Sequence, residues 1–265
     1  MALLTTSRES VRDGGLAMVR MFGHALVVVV LTALTQVGGL VWIASRWTRR
    51  PLLVFVLAYA GVWGVVQVVA PWTGRVARPC FGAPLRAQSV VYCALLRNFV
   101  TPELAQVAMD AAERVKRAFP GTVTLALDGG FPFFNGVPLL PHLSHDDGEK
   151  LDLALHYSGE GGYLPGQTRS PLGYLVFKAL DATEDCPPVW LTLRWRMGWV
   201  QGWFGAMAVE PQRTAALVRA LLEDGRVGKV FVEPPIARRL GLSDPKLHFQ
   251  GCRAARHDDH IHIQL

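Results

Sequence analysis

Two stretches of the chain carry no charged residue. One runs from Met21 to Ser45 (MFGHALVVVVLTALTQVGGLVWIAS), the other from Pro51 to Gly74 (PLLVFVLAYAGVWGVVQVVAPWTG). A helix needs roughly 20 apolar residues to cross a bilayer, so both qualify. Trp42, Trp47 and Trp72 lie near their ends, where interfacial aromatics collect. The pattern predicts a two-helix transmembrane hairpin over 21–74, with spans at about 22–45 and 52–72, after an N-terminal flank over 1–20. A cleaved signal peptide has a shorter apolar core and a small-residue cleavage site, which two long spans on a short connector do not match.

From residue 75 onward the apolar spacing changes. Leu104, Val107, Ala108, Ala111 and Val115 recur at helical intervals behind Thr101, an N-cap residue type, and Pro102, suited to a first turn. A short strand ending in a glycine turn is expected over 121–130. Further strands are expected over 149–157, 188–200 and 229–233, and a last one at HIHIQL, 260–265. A helix over 211–225 starts at Pro211 and stops at Gly225, and a short helix follows over 234–242. Helices and strands do not alternate regularly. The expectation is therefore an α+β domain over 75–265, a small antiparallel sheet with flanking helices.

The apolar share of 51% and charged share of 18% fit a membrane-attached chain. The net charge is +6, but several arginines flank the apolar spans and no basic run is interleaved with aromatics. No nucleic acid is expected as partner; an anionic phospholipid or cell-wall polymer suffices. Arg46, Arg49 and Arg50 in the connector balance Arg8, Arg12 and Arg20 in the N-terminal flank, so the positive-inside rule leaves the hairpin's orientation open. A cytoplasmic connector would place both the N-terminus and the C-terminal domain outside. Cys80, Cys93, Cys186 and Cys252 form no Cys-x-x-Cys pair, which disfavours a cysteine zinc ribbon. Their even number permits two disulfides with the pairing open, or four buried thiols.

Six of the eight histidines fall within 142–156 or 257–262. In PHLSHDDGEKLDLALHY, His145 lies in a loop that turns at Gly148 and enters a strand holding Asp152 between Leu151 and Leu153. A carboxylate in an apolar strand needs a partner or a metal. In HIHIQL, strand alternation puts His260, His262 and Gln264 on one face and Ile261, Ile263 and Leu265 on the other. His145, Asp152 and one histidine of the His-x-His pair make a nitrogen and oxygen ligand set of the kind catalytic zinc uses, with the fourth position left for water. The other histidine is then free for proton transfer or oxyanion stabilisation. Each element alone is common; the signal is their conjunction.

That conjunction resembles the lysostaphin-like, D-Ala-D-Ala metallopeptidase-like and hedgehog-like zinc peptidases, and most of all the penicillin-insensitive murein endopeptidases. Pro141, His142, Ser144, His145, Gly148 and Asp152 fill one motif of that family, and HDDHIH over 257–262 fills another. The resemblance covers roughly 130–265. It departs in the stretch HFQGCRAAR, where the family is often rich in Trp and Pro, and in the N-terminal apolar segments, where the family's usual member is soluble. It implies His145, Asp152 and His262 as ligands of Zn2+, and His260 as the catalytic histidine. His142 and His257 would assist at the site, and Asp258 and Asp259 would orient neighbouring imidazoles. It further implies a bacterial membrane-anchored murein endopeptidase, its domain facing the periplasm or cell exterior, that hydrolyses peptidoglycan peptide cross-links. A D-Ala-D-Ala carboxypeptidase or dipeptidase, or a non-catalytic zinc-containing wall-binding module, are the alternatives. Retention of His142, His257 and His260 favours an enzyme, because a structural zinc needs only a closed ligand set.

Other residues carry weaker signals. Glu233 suits a helix start, where an acid is favoured by the dipole. Trp195, Trp199 and Trp203 form a stripe read as core or membrane contact before sugar platform. His156 and His248 have no motif support, although His156 shares a strand face with Asp152, which leaves a site-flanking place open to it.

Overall fold

The computed structural model describes residues 3–175, 186, 198–205 and 207–265. The chain divides into two compact units, Met1–Val66 and Gln67–Leu265.

The first unit holds α1 (Leu3–Thr35), α2 (Gly38–Ser45) and most of α3 (Pro51–Val69). Among the described residues, two stretches are long and apolar enough to cross a membrane, Gly15–Thr35 and Pro51–Thr73. The second agrees with the span expected at 52–72; the first corrects the span expected at 22–45. The charge-free run is not one helix. Gln36 takes φ 66°, and α2 folds back along α1. Gly38 and Gly39 permit the approach: a Cβ on Gly38 would meet Thr35 Oγ1 at 2.6 Å, and one on Gly39 would meet Thr32 Oγ1 at 2.1 Å. Hydropathy cannot register such a reversal, because the residues on both sides of it are equally apolar.

The second unit is α+β, and its main sheet is mixed rather than antiparallel. Its strands are β1 (Val76–Ala77), β2 (Leu85–Ala87), β3 (Phe99–Val100), β4 (Thr124–Ala126), β5 (Lys150–Ala154), β6 (Tyr157–Gly159), β7 (Gly162–Tyr163), β8 (Ala208–Val209), β9 (Lys229–Phe231), β10 (Leu247–His248) and β11 (His260–Gln264). Six form one sheet in the order β10-β9-β11-β5-β4-β2. The two outer pairs, β10–β9 and β2–β4, are parallel, which makes the sheet larger and more mixed than the alternating segments alone suggested. The central pairs are antiparallel. β7, β6 and β8 form a smaller sheet, and β1 pairs with β3. The strand expected over 188–200 lies outside the described residues except at its end, where Gly198–Gln201 is a helical turn, α6.

Between these strands lie α4 (Val90–Ala94), α5 (Pro102–Ala118), α7 (Pro211–Leu222) and α8 (Pro234–Arg239). Thr101 caps α5 by accepting from the Leu104 N–H, and Glu210 caps α7 through the Arg213 N–H. The buried stripes of α5 and α7 pack with Leu151, Leu153, Ile261 and Ile263 from one face of the sheet. Asp152, His260 and His262 therefore point to the opposite face, where Leu125, Leu127, Ala154 and Tyr92 form a second, smaller cluster. Helices cover one face, and chemistry-bearing side chains crowd the other.

Two disulfides, Cys80–Cys93 and Cys186–Cys252, resolve the pairing that composition left open. The first ties the β1–β2 loop to α4. The second holds the loop that precedes β11.

Candidate metal centre

β5 and β11 set the site by register. Asp152 lies directly opposite His262, and Ala154 opposite His260. The loop before β5 adds His142 and His145. It turns at Gly148, φ 76°, where a Cβ would collide with the Arg75 guanidinium.

Three donor atoms converge. His145 Nε2 lies 3.1 Å from His262 Nδ1 and 3.3 Å from Asp152 Oδ1, and His262 Nδ1 lies 2.7 Å from Asp152 Oδ1. Ligands bound tetrahedrally at 2.0–2.1 Å sit about 3.3 Å apart, so this triangle has nearly the size a zinc ion requires. Protonation argues the same way. His145 Nδ1 is 2.7 Å from the Gly129 carbonyl oxygen, which can only accept, so Nδ1 carries a proton. In the neutral ring, Nε2 then turns a lone pair toward the Asp152 carboxylate oxygen, a repulsive contact that a cation would reverse. His262 Nε2 meets the Gln264 amide at 3.0 Å. With Nδ1 as the ligand atom, Nε2–H donates to the amide oxygen after a flip of that group. The residues fit a metal.

His142 gives an overlapping set, since donor atoms of His142, His145 and Asp152 all lie within 4.8 Å of one another. However, His142 Nδ1 sits on the far side of the Asp152 carboxylate, 3.1 Å from its Oδ2 and 3.2 Å from Asp128 Oδ2. Burial opposes its charge, but Asp152 and Asp128 outweigh burial and push His142 up to about 10. Burial likewise opposes ionisation of Asp152, yet His145, His260 and His142 hold it well below the usual carboxylate range.

His260 is set back from the triangle. Its Nδ1–H donates to Asp259 Oδ1 at 2.6 Å, which leaves Nε2 directed inward, 3.7 Å from Asp152 Oδ1. Asp259 is fixed in turn by the Leu175 N–H at 2.6 Å. Burial lowers the His260 pKa less than Asp152 and Asp259 raise it. His257 lines the site, and its backbone N–H donates to Glu233 Oε1 at 3.2 Å. Glu233 makes no side-chain cap bond to α8, so it braces His257 rather than serving only a helix start. Burial, then His260 and His262, drives the His257 pKa well down.

The residues around the site divide by what they touch. Asp259 orients a histidine, but Asp258 pairs with Arg256 at 2.7 Å. His156 lies beyond the end of β5, donates its backbone N–H to Thr214 Oγ1 and packs against Tyr163. It lines neither site cavity. Trp199 and Trp203 are exposed and pack edge to face at 4.9 Å, while Trp195 lies outside the described residues.

Two contributors were missed in the sequence. Tyr174 OH donates to Asp152 Oδ2 at 2.7 Å and accepts from the Asp128 N–H at 3.1 Å, while its ring meets His142 and His260 edge-on. Asp128 accepts two bonds from Arg97, each 2.7 Å, and faces His142. Both residues come from irregular segments with no periodicity to mark them. The glycine pair after Asp128 was the available hint: Gly129 supplies the carbonyl for His145, and a Cβ there would strike Arg78 and the Phe99 carbonyl at 2.9 Å.

The histidines line a cavity of ≈ 190 Å³. Beside it a second cavity of ≈ 330 Å³, walled by Val91, Leu95, Leu140 and Leu172, shares His142 and His260. A ligand in the larger space would meet His142 and His260. No protein-family model matches the chain, and no curated protein matches it significantly.

Proposed function

We propose that the C-terminal domain is a zinc peptidase, held at a membrane by the N-terminal helices, that cuts peptide cross-links of peptidoglycan. The observation that carries this reading is the convergence of His145 Nε2, Asp152 Oδ1 and His262 Nδ1 beside an imidazole that is oriented but set apart, His260. A purely structural site would have no use for the His260–Asp259 pair opening onto a cavity. The cell-wall substrate rests on the resemblance of the two histidine motifs to murein endopeptidases. The two disulfides and the membrane-length helices support an oxidising, extracytoplasmic setting.

His145, Asp152 and His262 would hold the ion. Zinc supplies Lewis acidity toward an amide carbonyl and lowers the pKa of water toward about 7. Asp259 keeps the proton of His260 on Nδ1, so Nε2 is the atom that takes a proton from attacking water and returns it to the leaving amine. His142, pinned between Asp128 and Asp152, presents its ring at the mouth shared by the two cavities. Tyr174 fixes the second oxygen of Asp152, so that Oδ1 alone faces the other donors. Apolar walls limit water beside the reacting group.

The test uses the full chain in detergent with purified cross-linked muropeptides. One zinc per chain and conversion of dimeric fragments to monomers are expected, with cleavage lost on chelation. His260→Ala should keep its zinc and lose about 10²–10⁴-fold in rate. Stoichiometric zinc with no fragment cut at any pH would remove the enzyme reading.

A further inference from the structure

We propose that α1 and α2 do not cross the bilayer but enter and leave it on one side, and that α3 is the single crossing. The inference is independent of the peptidase reading and rests on the helical unit alone.

The direction of α2 is fixed by its neighbours on α1. Gly38 lies against Thr35 and Leu31, Gly39 against Thr32 and Val28, and Trp42 against His24, 5.9 Å between ring centroids. Advancing along α2 therefore means retreating along α1. The connector that follows carries Arg46, Arg49 and Arg50 at the end of α2 away from the reversal. The Arg46 guanidinium sits over Trp42 at 5.8 Å. α3 starts from this same end, with Phe55 against Trp42 at 5.5 Å; one turn later Tyr59 hydrogen-bonds to Thr35, near the reversal.

The lengths agree. From Arg20 to Thr35 the helical rise is about 22 Å, and the eight residues of α2 return about 12 Å. Both fall short of a hydrocarbon core of about 30 Å; the 21 residues of Gly15–Thr35 reach about 31 Å only by carrying the Arg20 guanidinium into it. Pro51–Thr73, 23 residues, covers about 34 Å and suffices.

The reversal itself is built for hydrocarbon. Irregular backbone at membrane depth is tolerated only where its polar groups are satisfied and covered by protein. Here Thr35 and Gln36 are buried. The Gln36 N–H donates to the Thr32 carbonyl at 2.8 Å, the Gly38 N–H to Thr35 Oγ1 at 2.8 Å, and the Thr35 hydroxyl to the Leu31 carbonyl at 2.7 Å. Around the reversal the outward side chains are aliphatic: Leu26, Val29, Leu40, Val56, Leu57 and Val65 are all exposed, a surface fitted to acyl chains.

This geometry removes the tie between the two arginine groups. Arg8, Arg12 and Arg20 now share a side with Arg46, Arg49 and Arg50, and six positive residues on one face assign that face to the cytoplasm. The N-terminus is then cytoplasmic, contrary to the hairpin expectation, and α3 delivers the following domain to the opposite side.

The test introduces single cysteines into the full chain in right-side-out and inverted membrane vesicles, probed with a membrane-impermeant maleimide. The native cysteines are paired in disulfides and give no background without reductant. Ser7→Cys and Thr48→Cys should both label in inverted vesicles and lose labelling in right-side-out ones, with Glu160→Cys giving the reverse. Ser7→Cys and Glu160→Cys labelling together from outside, with Thr48→Cys inside, would restore two crossings and overturn the proposal. So would all three positions labelling from one side, because α3 would then not cross.

Discussion

The α1–α2 reversal and the middle of the β5–β11 pair both bury polar groups, by opposite means. At the reversal the groups are neutral and are answered mainly within a few residues of sequence, Thr35 by Leu31 and Gly38 by Thr35, with Tyr59 of α3 adding a bond to Thr35. In the sheet they are ionisable and are answered by residues more than a hundred positions away, as His262 is by Asp152 and His145. Neutral polarity satisfied locally closes on itself and excludes a guest. Clustered imidazoles and carboxylates, drawn from distant segments, keep donor atoms facing one another and leave a place that a cation fits. Local satisfaction makes structure; convergent, incomplete satisfaction makes a site.

The comparison breaks first at His262. His262→Ala should weaken zinc binding by more than about 100-fold, beyond the effect of losing an outer partner of a ligand, as read by competition with a chelator in calorimetry. If it binds normally and His142→Ala does not, the donor set is His142, His145 and Asp152. At the buried pair Arg256–Asp258, whose side chains are 1% and 0% exposed, the effect falls on stability rather than on zinc binding. Arg256→Ala deprives a buried carboxylate of its guanidinium and should cost about 3–5 kcal/mol in chemical denaturation of the full chain.

His156 sharpens the contrast from within the domain, being a buried imidazole that faces no carboxylate among the described residues. Burial, then Arg213, lowers its pKa from 6.5 to about 4. The unfolded chain therefore binds the proton that the folded chain refuses. Stability is full above pH 6.5 and falls as pH drops toward 4, by up to about 3 kcal/mol. Denaturation at several pH values should show this slope, and His156→Gln should flatten it. The smallest effect is expected at the reversal. Gly39→Ala forces a Cβ onto Thr32 and should weaken the helical unit by about 1–3 kcal/mol in a circular dichroism melt while leaving zinc affinity unchanged.

What the sequence discloses follows the same division. The alternation of HIHIQL and the capped stripe of α5 are legible because period and face are properties of consecutive residues. Asp128 and Tyr174 were not, because their importance lies in what the folded chain brings to them, Arg97 and His142 for one, Asp152 for the other. The broken first span failed differently. Gly38 and Gly39 were visible, but nothing in an apolar average says whether two glycines soften a helix or let it double back. The parallel outer strands β2 and β10 are two or three residues long, too short for any pattern to declare their direction.

The one-to-one pairing of His262 with Asp152 has a consequence for how the sheet finds its partners. Strand side chains alternate, so slipping β11 by a single residue turns all of them over. The slip would drive two imidazoles among the aliphatic side chains of α5 and α7 and push Ile261 and Ile263 out to the opposite face. Every misaligned pairing of this kind carries its own penalty on both faces at once. The alternation that arranges the donors thus proofreads the alignment of the two strands that bear them.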